Sequence, residues 1–140
     1  MYLDTSVAVA IYAREPASDA LEAVLMSGDG FISSELLRAE LAGALLAKGK
    51  SGVISVELCQ GIMERFERQI HEGDVQLIPL NNLLITEAVE LMRLVYPEVL
   101  LRTLDALHLA TFMSVEAGPL FTRDKRMLAA ARRLGIPLAE

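Results

Sequence analysis

Short apolar runs alternate along the chain with longer stretches in which apolar residues recur every three or four positions. The short runs are typical of buried strands, and the longer stretches have the spacing of amphipathic helices. The predicted strands are residues 1–4, 31–33, 75–80, 120–122 and 136–138. The predicted helices are residues 6–13, 18–26, 34–48, 55–71, 83–95, 103–116 and 125–134.

Several of these boundaries carry residues that commonly begin or end helices. Thr5 or Ser6 can cap the first helix, Thr103 opens the sixth, and Gly135 closes the last. Strands that alternate with helices predict an α/β protein, in which a mainly parallel sheet is covered by helices on both faces. In such sheets ligands bind beyond the carboxyl ends of the strands.

The composition indicates one folded domain over residues 1–140. Hydrophobic residues make up 53% of the chain and charged residues 23%, which excludes a disordered tail. The uncharged run at residues 5–13 is far shorter than the ~18 apolar residues of a membrane span. Asp4 stands where a secretory leader would be positive, and Cys59 is the sole cysteine, so we expect no membrane association and a cytoplasmic protein.

The net charge of −6 argues against a protein that coats nucleic acid passively. Basic residues nevertheless concentrate in the C-terminal third, where they are Arg102, Arg123, Lys125, Arg126, Arg132 and Arg133. An acidic protein with one basic region can still hold a polyanion there, above all where bound cations offset its carboxylates.

Four carboxylates fall at positions that the predicted fold brings to one edge of the sheet. Asp4 ends the first strand, and Asp124 follows the fourth. Asp105 lies in the first turn of its helix, and Glu40 lies about two turns into another. Each acid could also have a purely structural role. Asp4 could cap a helix, Asp105 and Asp124 could interact favourably with the dipole at a helix N-terminus, and Glu40 could be an ordinary solvent-exposed helix residue. The interpretation therefore depends on the set of four.

Four ionised carboxylates packed together repel, so either some are protonated or a hard cation lies among them. Oxygen ligands, without a Cys or His pair at metal spacing, favour Mg²⁺ or Mn²⁺ over Zn²⁺. Such an ion, which retains several waters, suits phosphodiester hydrolysis because it polarises the phosphate and activates a water molecule.

The strings MYLDTSV, SSELLRAEL, LRTLDALHLAT and LFTRDKRM, in this order and spacing, resemble PIN-domain nucleases, and within them the VapC-type toxins of toxin–antitoxin pairs. The resemblance covers essentially the whole chain. It implies a three-layer α/β/α fold and Mg²⁺- or Mn²⁺-dependent cleavage of RNA. By motif match the four acids are Asp4, Glu40, Asp105 and Asp124. Ser6 and Thr122 match hydroxyls that would orient carboxylates or metal-bound water.

Glu35 competes with Glu40 for the role of the second acid. The two residues are five positions apart, which is ~140° around a helix, so only one of them can face the site. The motif match and the apolar neighbourhood select Glu40.

The resemblance also implies a protein antitoxin that blocks the acidic site, and a toxin homodimer. We expect the antitoxin groove on the helices of residues 6–26 and 55–70, because both have amphipathic faces. We further expect that some of the basic residues beside the acids contact RNA phosphates. These candidates are Arg102, Arg123, Lys125 and Arg126.

The histidines, the cysteine and several methionines are expected to stabilise the fold rather than to act in a functional site. We expect His108 to be a packed, hydrogen-bonded histidine rather than a metal ligand, and His71 to interact with a helix dipole. Cys59 is expected to be a buried small hydrophobe. The methionines expected to fill the core are Met26, Met63, Met92, Met113 and Met127.

Four other functions compete with RNA cleavage. A haloacid-dehalogenase phosphatase needs an Asp where this chain has Ser6, and a response-regulator receiver needs a phosphorylatable Asp that residues 75–82 lack. A PIN-like module that binds RNA or protein without cutting differs only in lacking metal-stimulated turnover. Cleavage of DNA stays open, because the mechanism needs no 2′-hydroxyl. The RNA target and the number of metal ions are not encoded in any motif.

Overall fold

The computed structural model of the protein describes residues 1–14 and 30–139. The strands within these ranges are β1 (Tyr2–Leu3), β2 (Phe31–Ser34), β3 (Val75–Ile78) and β4 (Leu120–Phe121). The helices within them are α1 (Thr5–Tyr12), α2 (Leu36–Lys50), α3 (Val56–Glu72), α4 (Asn82–Val95), α5 (Thr103–Met113) and α6 (Lys125–Leu134). The helix predicted at residues 18–26 lies outside the described residues.

The four strands form one parallel sheet in the order β3-β2-β1-β4. β1 is central, and its Tyr2 lies opposite Ile32 of β2 and Leu120 of β4. Because β1 and β4 are parallel neighbours, the chain leaves both strands at the same edge of the sheet. The backbone N–H of Asp4 donates to the carbonyl of Phe121 (3.1 Å), which keeps these two exits together.

Successive residues of β1 face opposite sides of the sheet, as the pleat of a strand requires. Tyr2 packs into a core with residues of α4, α5 and α6, whereas Leu3 packs into a second core with residues of α1, α2 and α3. Both side chains are almost fully buried. The sheet is therefore the middle of three layers, and the expected α/β/α fold is confirmed.

Several predicted helix ends are wrong by one to three residues, among them both ends of the helix predicted at residues 34–48, which the structure has as Leu36–Lys50. Asp4, and neither Thr5 nor Ser6, caps α1: its backbone is extended, and its carboxylate accepts a hydrogen bond from the N–H of Val7 (3.2 Å). Thr5 is already the first helical residue. The helix predicted to reach residue 116 ends at Met113, after which the N–H of residue 114 bonds back to carbonyls of the last turn.

The predicted fifth strand at residues 136–138 is reduced to one parallel bridge between Leu120 and Leu138. Leu120 donates its N–H to the carbonyl of Pro137 (2.9 Å) and accepts from the N–H of Ala139 (3.0 Å). Pro137 has no N–H with which to extend the ladder. α6 has the predicted bounds, because Gly135 ends it with a positive φ of 69°.

Most residues interpreted as structural lie where expected. Cys59 is buried, and its thiol donates to the carbonyl of Leu45 (3.2 Å). Met127 is buried, and Met63 and Met92 pack against the cores from partly buried positions. The prediction that Met113 fills the core is wrong, because this residue is 55% exposed. Met26 lies outside the described residues. No described helix is long and apolar enough to cross a membrane.

Candidate metal centre and active site

Asp4 is held at the centre of the sheet edge by hydrogen bonds to both of its carboxylate oxygens. Oδ1 accepts from the hydroxyl of Ser6 (2.7 Å), and Oδ2 accepts from the hydroxyl of Thr122 (2.8 Å). The side chain is only 3% exposed. Burial raises the pKa of the Asp4 carboxyl above its ordinary value, although both hydroxyls and the nearby His108 act in the opposite direction.

The hydroxyls that hold Asp4 also organise the segment after β4. Ser6 Oγ accepts from the backbone N–H of Arg123 (2.8 Å), and Thr122 Oγ1 accepts from the backbone N–H of Asp124 (3.1 Å). Each hydroxyl therefore donates to the first acid and accepts from the segment that carries the last one. The two residues that the sequence motifs singled out lie between Asp4 and Asp124.

Asp105 and Asp124 are joined by a single guanidinium. Arg102 contacts Asp105 with two hydrogen bonds, Nε to Oδ2 (2.7 Å) and Nη2 to Oδ1 (3.2 Å). The same Nη2 also donates to Oδ2 of Asp124 (2.6 Å). The pairing raises the pKa of Arg102, with the hydrogen bond to Asp105 as the main cause. A positive group is thus held between two of the four predicted acids.

Asp124 divides its oxygens between the site and the backbone. Oδ1 accepts from the N–H groups of Arg126 (2.8 Å) and Met127 (3.1 Å), which makes Asp124 the N-cap of α6. Oδ2 faces the Arg102 guanidinium. Asp105, in the first turn of α5, is 7% exposed.

Glu40 extends from α2 towards α5 rather than into solvent. Its Oε2 accepts from the hydroxyl of Thr5 (2.5 Å) and from Nε2 of His108 (2.7 Å). Burial alone would raise the pKa of Glu40, but the hydrogen bonds from His108 and Thr5 and the charge of Arg102 outweigh it, so this pKa is lowered. Glu35 is instead in an exposed ion pair with Arg38. His108 is packed and hydrogen-bonded, as expected.

The basic residues predicted to contact RNA lie around the same sheet edge. The Arg102 side chain is 54% exposed although it pairs with both aspartates. Arg123, Lys125 and Arg126 are exposed at or just before the start of α6, where the N–H of Arg126 bonds Asp124. Cations at a helix N-terminus oppose the helix dipole, so a bound polyanion would relieve an unfavourable arrangement.

In the described part of the chain, no three acidic, histidine or cysteine side chains stand close enough, as oriented, to hold one metal ion. The donors are nevertheless of the kind that a hard divalent cation prefers, because all four predicted ligands are carboxylates. Between Asp105 and Asp124 the site already accommodates the positive charge of Arg102. The residues thus fit a divalent ion that replaces this guanidinium, provided that the exposed Arg102 side chain turns outward.

Two features of the site were not predicted from the sequence. The spacing of Arg102 and Asp105, three positions apart at a helix start, signals a possible ion pair, but its extension to Asp124 depends on the tertiary fold. The contacts of His108 with Glu40 and Tyr2 cross from α5 to α2 and β1, and no local pattern indicates them.

Comparison with known proteins places these residues in a family. The family model for the PIN domain matches residues 1–133, a range that includes all four acids. Ribonuclease VapC46 of Mycobacterium tuberculosis is 35% identical over 140 residues, covering 97% of this chain and 93% of that protein. With the three-layer fold and the acidic sheet edge, these matches show that the chain belongs to the PIN domain family.

Proposed function

We propose that this chain is a metal-dependent endoribonuclease of the VapC type, the toxin of a toxin–antitoxin pair. A relative that is 35% identical over nearly the full length of both chains is named a ribonuclease, which supports this activity. The observation that carries the proposal is the connected set of carboxylates around Arg102. Asp105 and Asp124 share this guanidinium, and Asp124 is linked to Asp4 through Thr122.

Asp4, Glu40, Asp105 and Asp124 are the proposed metal ligands, and Mg²⁺ or Mn²⁺ is the proposed ion. When bound, this ion polarises the scissile phosphate and activates the attacking water. Ser6 and Thr122 keep the Asp4 carboxylate in one orientation by donating to its two oxygens. A fixed carboxylate reduces the reorganisation needed when metal and RNA enter together.

The RNA backbone is the proposed partner of the basic residues at this edge. Arg102 is suited to two roles. Without the ion its guanidinium pairs with Asp105 and Asp124, and once the ion replaces it there the guanidinium can pair with the incoming phosphate. Arg123, Lys125 and Arg126 extend the positive surface along the start of α6. We place the activity in the cytoplasm, where RNA substrates are found and the buried thiol of Cys59 stays reduced.

For the antitoxin, we propose the cleft between the end of α1 and α3. It is lined by Tyr12, Ala13, Arg14, Leu58, Gly61, Ile62 and Arg65. This cleft is mainly apolar with two arginines at its border, which suits an amphipathic segment with acidic residues. The part of the expected groove at residues 15–26 lies outside the described residues.

For the homodimer, we propose the long apolar side chains exposed on α4 and the segment that follows it. They are Leu83, Ile85, Val89, Leu94, Tyr96 and Leu100. Burying such side chains between two copies would remove apolar surface from water, which favours association.

The decisive experiment is cleavage of labelled RNA by the purified chain, with Mg²⁺ or Mn²⁺ and then with EDTA. A folded Asp4→Asn, Asp105→Asn double variant is the control, and a DNA oligomer of the same sequence tests the substrate class. Metal-dependent cutting of RNA that the variant loses supports the proposal. No cutting by the wild type, with total cellular RNA and with antitoxin removed, favours a PIN-like module that binds RNA or protein without catalysis. Equal cutting by the variant contradicts the assigned ligands.

A further inference from the structure

A chain of hydrogen bonds runs from the core to the carboxylate of Glu40. The hydroxyl of Tyr2 lies 3.0 Å from Nδ1 of His108, and Nε2 of His108 lies 2.7 Å from Oε2 of Glu40. Thr5 Oγ1 donates to the same Oε2 (2.5 Å) and lies 3.1 Å from the His108 nitrogen. Residues of β1, α1, α2 and α5 therefore meet at one carboxylate oxygen.

The chemistry of these groups fixes the direction of the bond to Glu40. An ionised carboxylate only accepts hydrogen bonds, so the proton between His108 and Glu40 belongs to Nε2. The hydroxyl of Tyr2 can donate or accept, so it provides a partner for Nδ1 whether or not that nitrogen carries a proton. The Nε2 proton that binds Glu40 is therefore compatible with the partner on the other side of the ring.

Burial prevents the ring of His108 from turning away. His108 is 2% exposed and Tyr2 is fully buried, and the two rings meet edge to face. Tyr2 also packs edge to face on Phe112. Glu40 is less buried than His108 and Tyr2, so its carboxylate is held by a donor that is itself packed in the core.

We infer that His108 is a positioning residue that, together with Thr5, fixes Oε2 of Glu40 and thereby directs Oε1 towards the metal site. This inference depends on the proposed function, since it assigns a task to the histidine only if Glu40 is a ligand. His108 itself does not bind the ion. Its bonds to Tyr2 and Glu40 use both ring nitrogens.

The test compares two amides at position 108 for their effect on Mn²⁺ affinity, measured by electron paramagnetic resonance titration of the full chain without RNA. In His108→Gln the amide nitrogen reaches the former position of Nε2 and still donates to Glu40. In His108→Asn the shorter amide reaches only the position of Nδ1, so Tyr2 keeps a partner but Glu40 loses its donor. Leu109→Ala, at a fully buried neighbour on α5, controls for lost stability.

We expect His108→Asn to weaken Mn²⁺ binding by about ten- to a hundredfold, the usual effect of removing a group that orients a ligand. His108→Gln should stay within about threefold of the wild type, and Leu109→Ala should lower Tm without changing Mn²⁺ affinity. RNA affinity in EDTA should be unchanged in all three variants. The inference would be overturned if His108→Asn bound Mn²⁺ as tightly as the wild type, or if His108→Asn and His108→Gln lost the same amount of Mn²⁺ affinity.

A second pair of variants decides the matter if the position 108 variants do not fold. Thr5→Val removes the other donor to Oε2, and Thr5→Ser retains it. Weak Mn²⁺ binding in Thr5→Val with near-normal binding in Thr5→Ser supports the anchoring of Oε2, and equal binding in the two contradicts it. A wild-type chain that binds no Mn²⁺ contradicts the proposed function itself, whereas strong binding that ignores these substitutions contradicts only the inference.

Discussion

Thr122 donates a 2.8 Å hydrogen bond to Oδ2 of Asp4, although 118 positions separate the two residues in the chain. The contact exists because β1 and β4 are parallel neighbours, so the residues that follow them leave the sheet side by side. With Ser6 on Oδ1, each oxygen of the buried carboxylate has a hydroxyl donor. The ionised form of Asp4 depends on these donors, since burial opposes it.

Replacing Thr122 with Val should therefore raise the pKa of Asp4 further. The hydroxyl bonds stabilise the charged carboxylate, so removing one favours the protonated form. We expect RNA cleavage at neutral pH to fall about tenfold or more, and its acidic limb to move to higher pH. Carbon-13 NMR titration of the metal-free protein measures the pKa directly. Thr122→Ser, which keeps the hydroxyl, is the control, and an unchanged titration in Thr122→Val would refute the prediction.

Asp4→Asn should stabilise the metal-free protein at neutral pH. The folded-state pKa of Asp4 lies above its unfolded value of 3.8, so wild-type stability falls as the pH rises from 3.8 through the folded pKa. Asn has no charge to bury and caps a helix as well as Asp. Its amide nitrogen can donate to the hydroxyl of Thr122, which turns round because it can no longer donate there. We expect a higher Tm for Asp4→Asn than for the wild type at pH 7, with about 4 °C gained for each ~1 kcal/mol of relieved charge burial in a domain of this size.

This gain should shrink as the pH falls below the folded-state pKa of Asp4 and vanish below pH 3.8, where the wild-type carboxyl is neutral in both states. Calorimetric scans of both proteins in EDTA at several pH values test it. A gain that is constant with pH would indicate a cause other than the buried charge, and a loss of stability at pH 7 would contradict the prediction outright.

Arg102→Ala should bind Mn²⁺ more tightly than the wild type while cutting RNA more slowly. The guanidinium competes with the ion for Asp105 and Asp124, but its side chain is 54% exposed, so solvent weakens its hold. Exposed ion pairs contribute up to about 1 kcal/mol, which limits the gain in affinity to about two- to fivefold. Arg93→Ala removes an exposed arginine elsewhere and measures the general effect of charge. Mn²⁺ affinity no higher than in this control would exclude competition.

Arg126→Ala should weaken RNA binding and reduce its dependence on salt. Each phosphate contact on a single strand contributes about 0.7 to the slope of log affinity against log salt. Fluorescence anisotropy across a salt series, in the non-cleaving Asp105→Asn background, measures both quantities. The same slope in Arg126→Ala and in its parent would show that Arg126 does not contact RNA phosphates.

Gly30→Ala should destabilise the fold more than Gly73→Ala. Both glycines have positive φ angles, 67° and 89°, which cost an L-residue roughly 1–2 kcal/mol. A methyl group at Gly30 would also lie 2.2 Å from the carbonyl oxygen of Asp74, which accepts the N–H of Phe31 at the start of β2.

Among the described residues, Gly73 has no atom within 4 Å of a corresponding methyl group. Overpacking at Gly30 should add at least about 1 kcal/mol to the loss of unfolding free energy. Urea denaturation of the two variants provides the comparison, and equal losses would show that the Asp74 carbonyl can move away.

Local chemistry explains which parts of the fold were predictable. The ends of α6 follow from Asp124 before it and Gly135 after it, and Ser55 marks the start of α3 through its bond to the N–H of Leu58. The strand order β3-β2-β1-β4 has no local pattern that encodes it. The supposed fifth strand failed because one apolar run with a central proline provides too few hydrogen bonds for a ladder.

The four acids of the candidate site were chosen from motifs, whereas their contacts required coordinates. Asp4 was placed at the end of β1, and a cap was one interpretation of it, but the sequence could not choose between Asp4 and the hydroxyls of Thr5 and Ser6 because all three side chains can cap a helix. The Arg102 bridge depends on how closely α5 approaches the start of α6, which the spacing of residues along the chain does not determine.

Asp124 caps α6 with one oxygen and faces the candidate site with the other, so any substitution there that removes the cap acceptor weakens the start of α6 as well as the site. The Asp105 side chain does not cap a helix as well, because its described hydrogen bonds are with Arg102. A non-toxic form for overproduction, or for trapping an uncut RNA complex, is therefore better made at Asp105. Conversely, harmless natural variants at Asp124 should retain a side chain that can still accept from the first turn of the last helix.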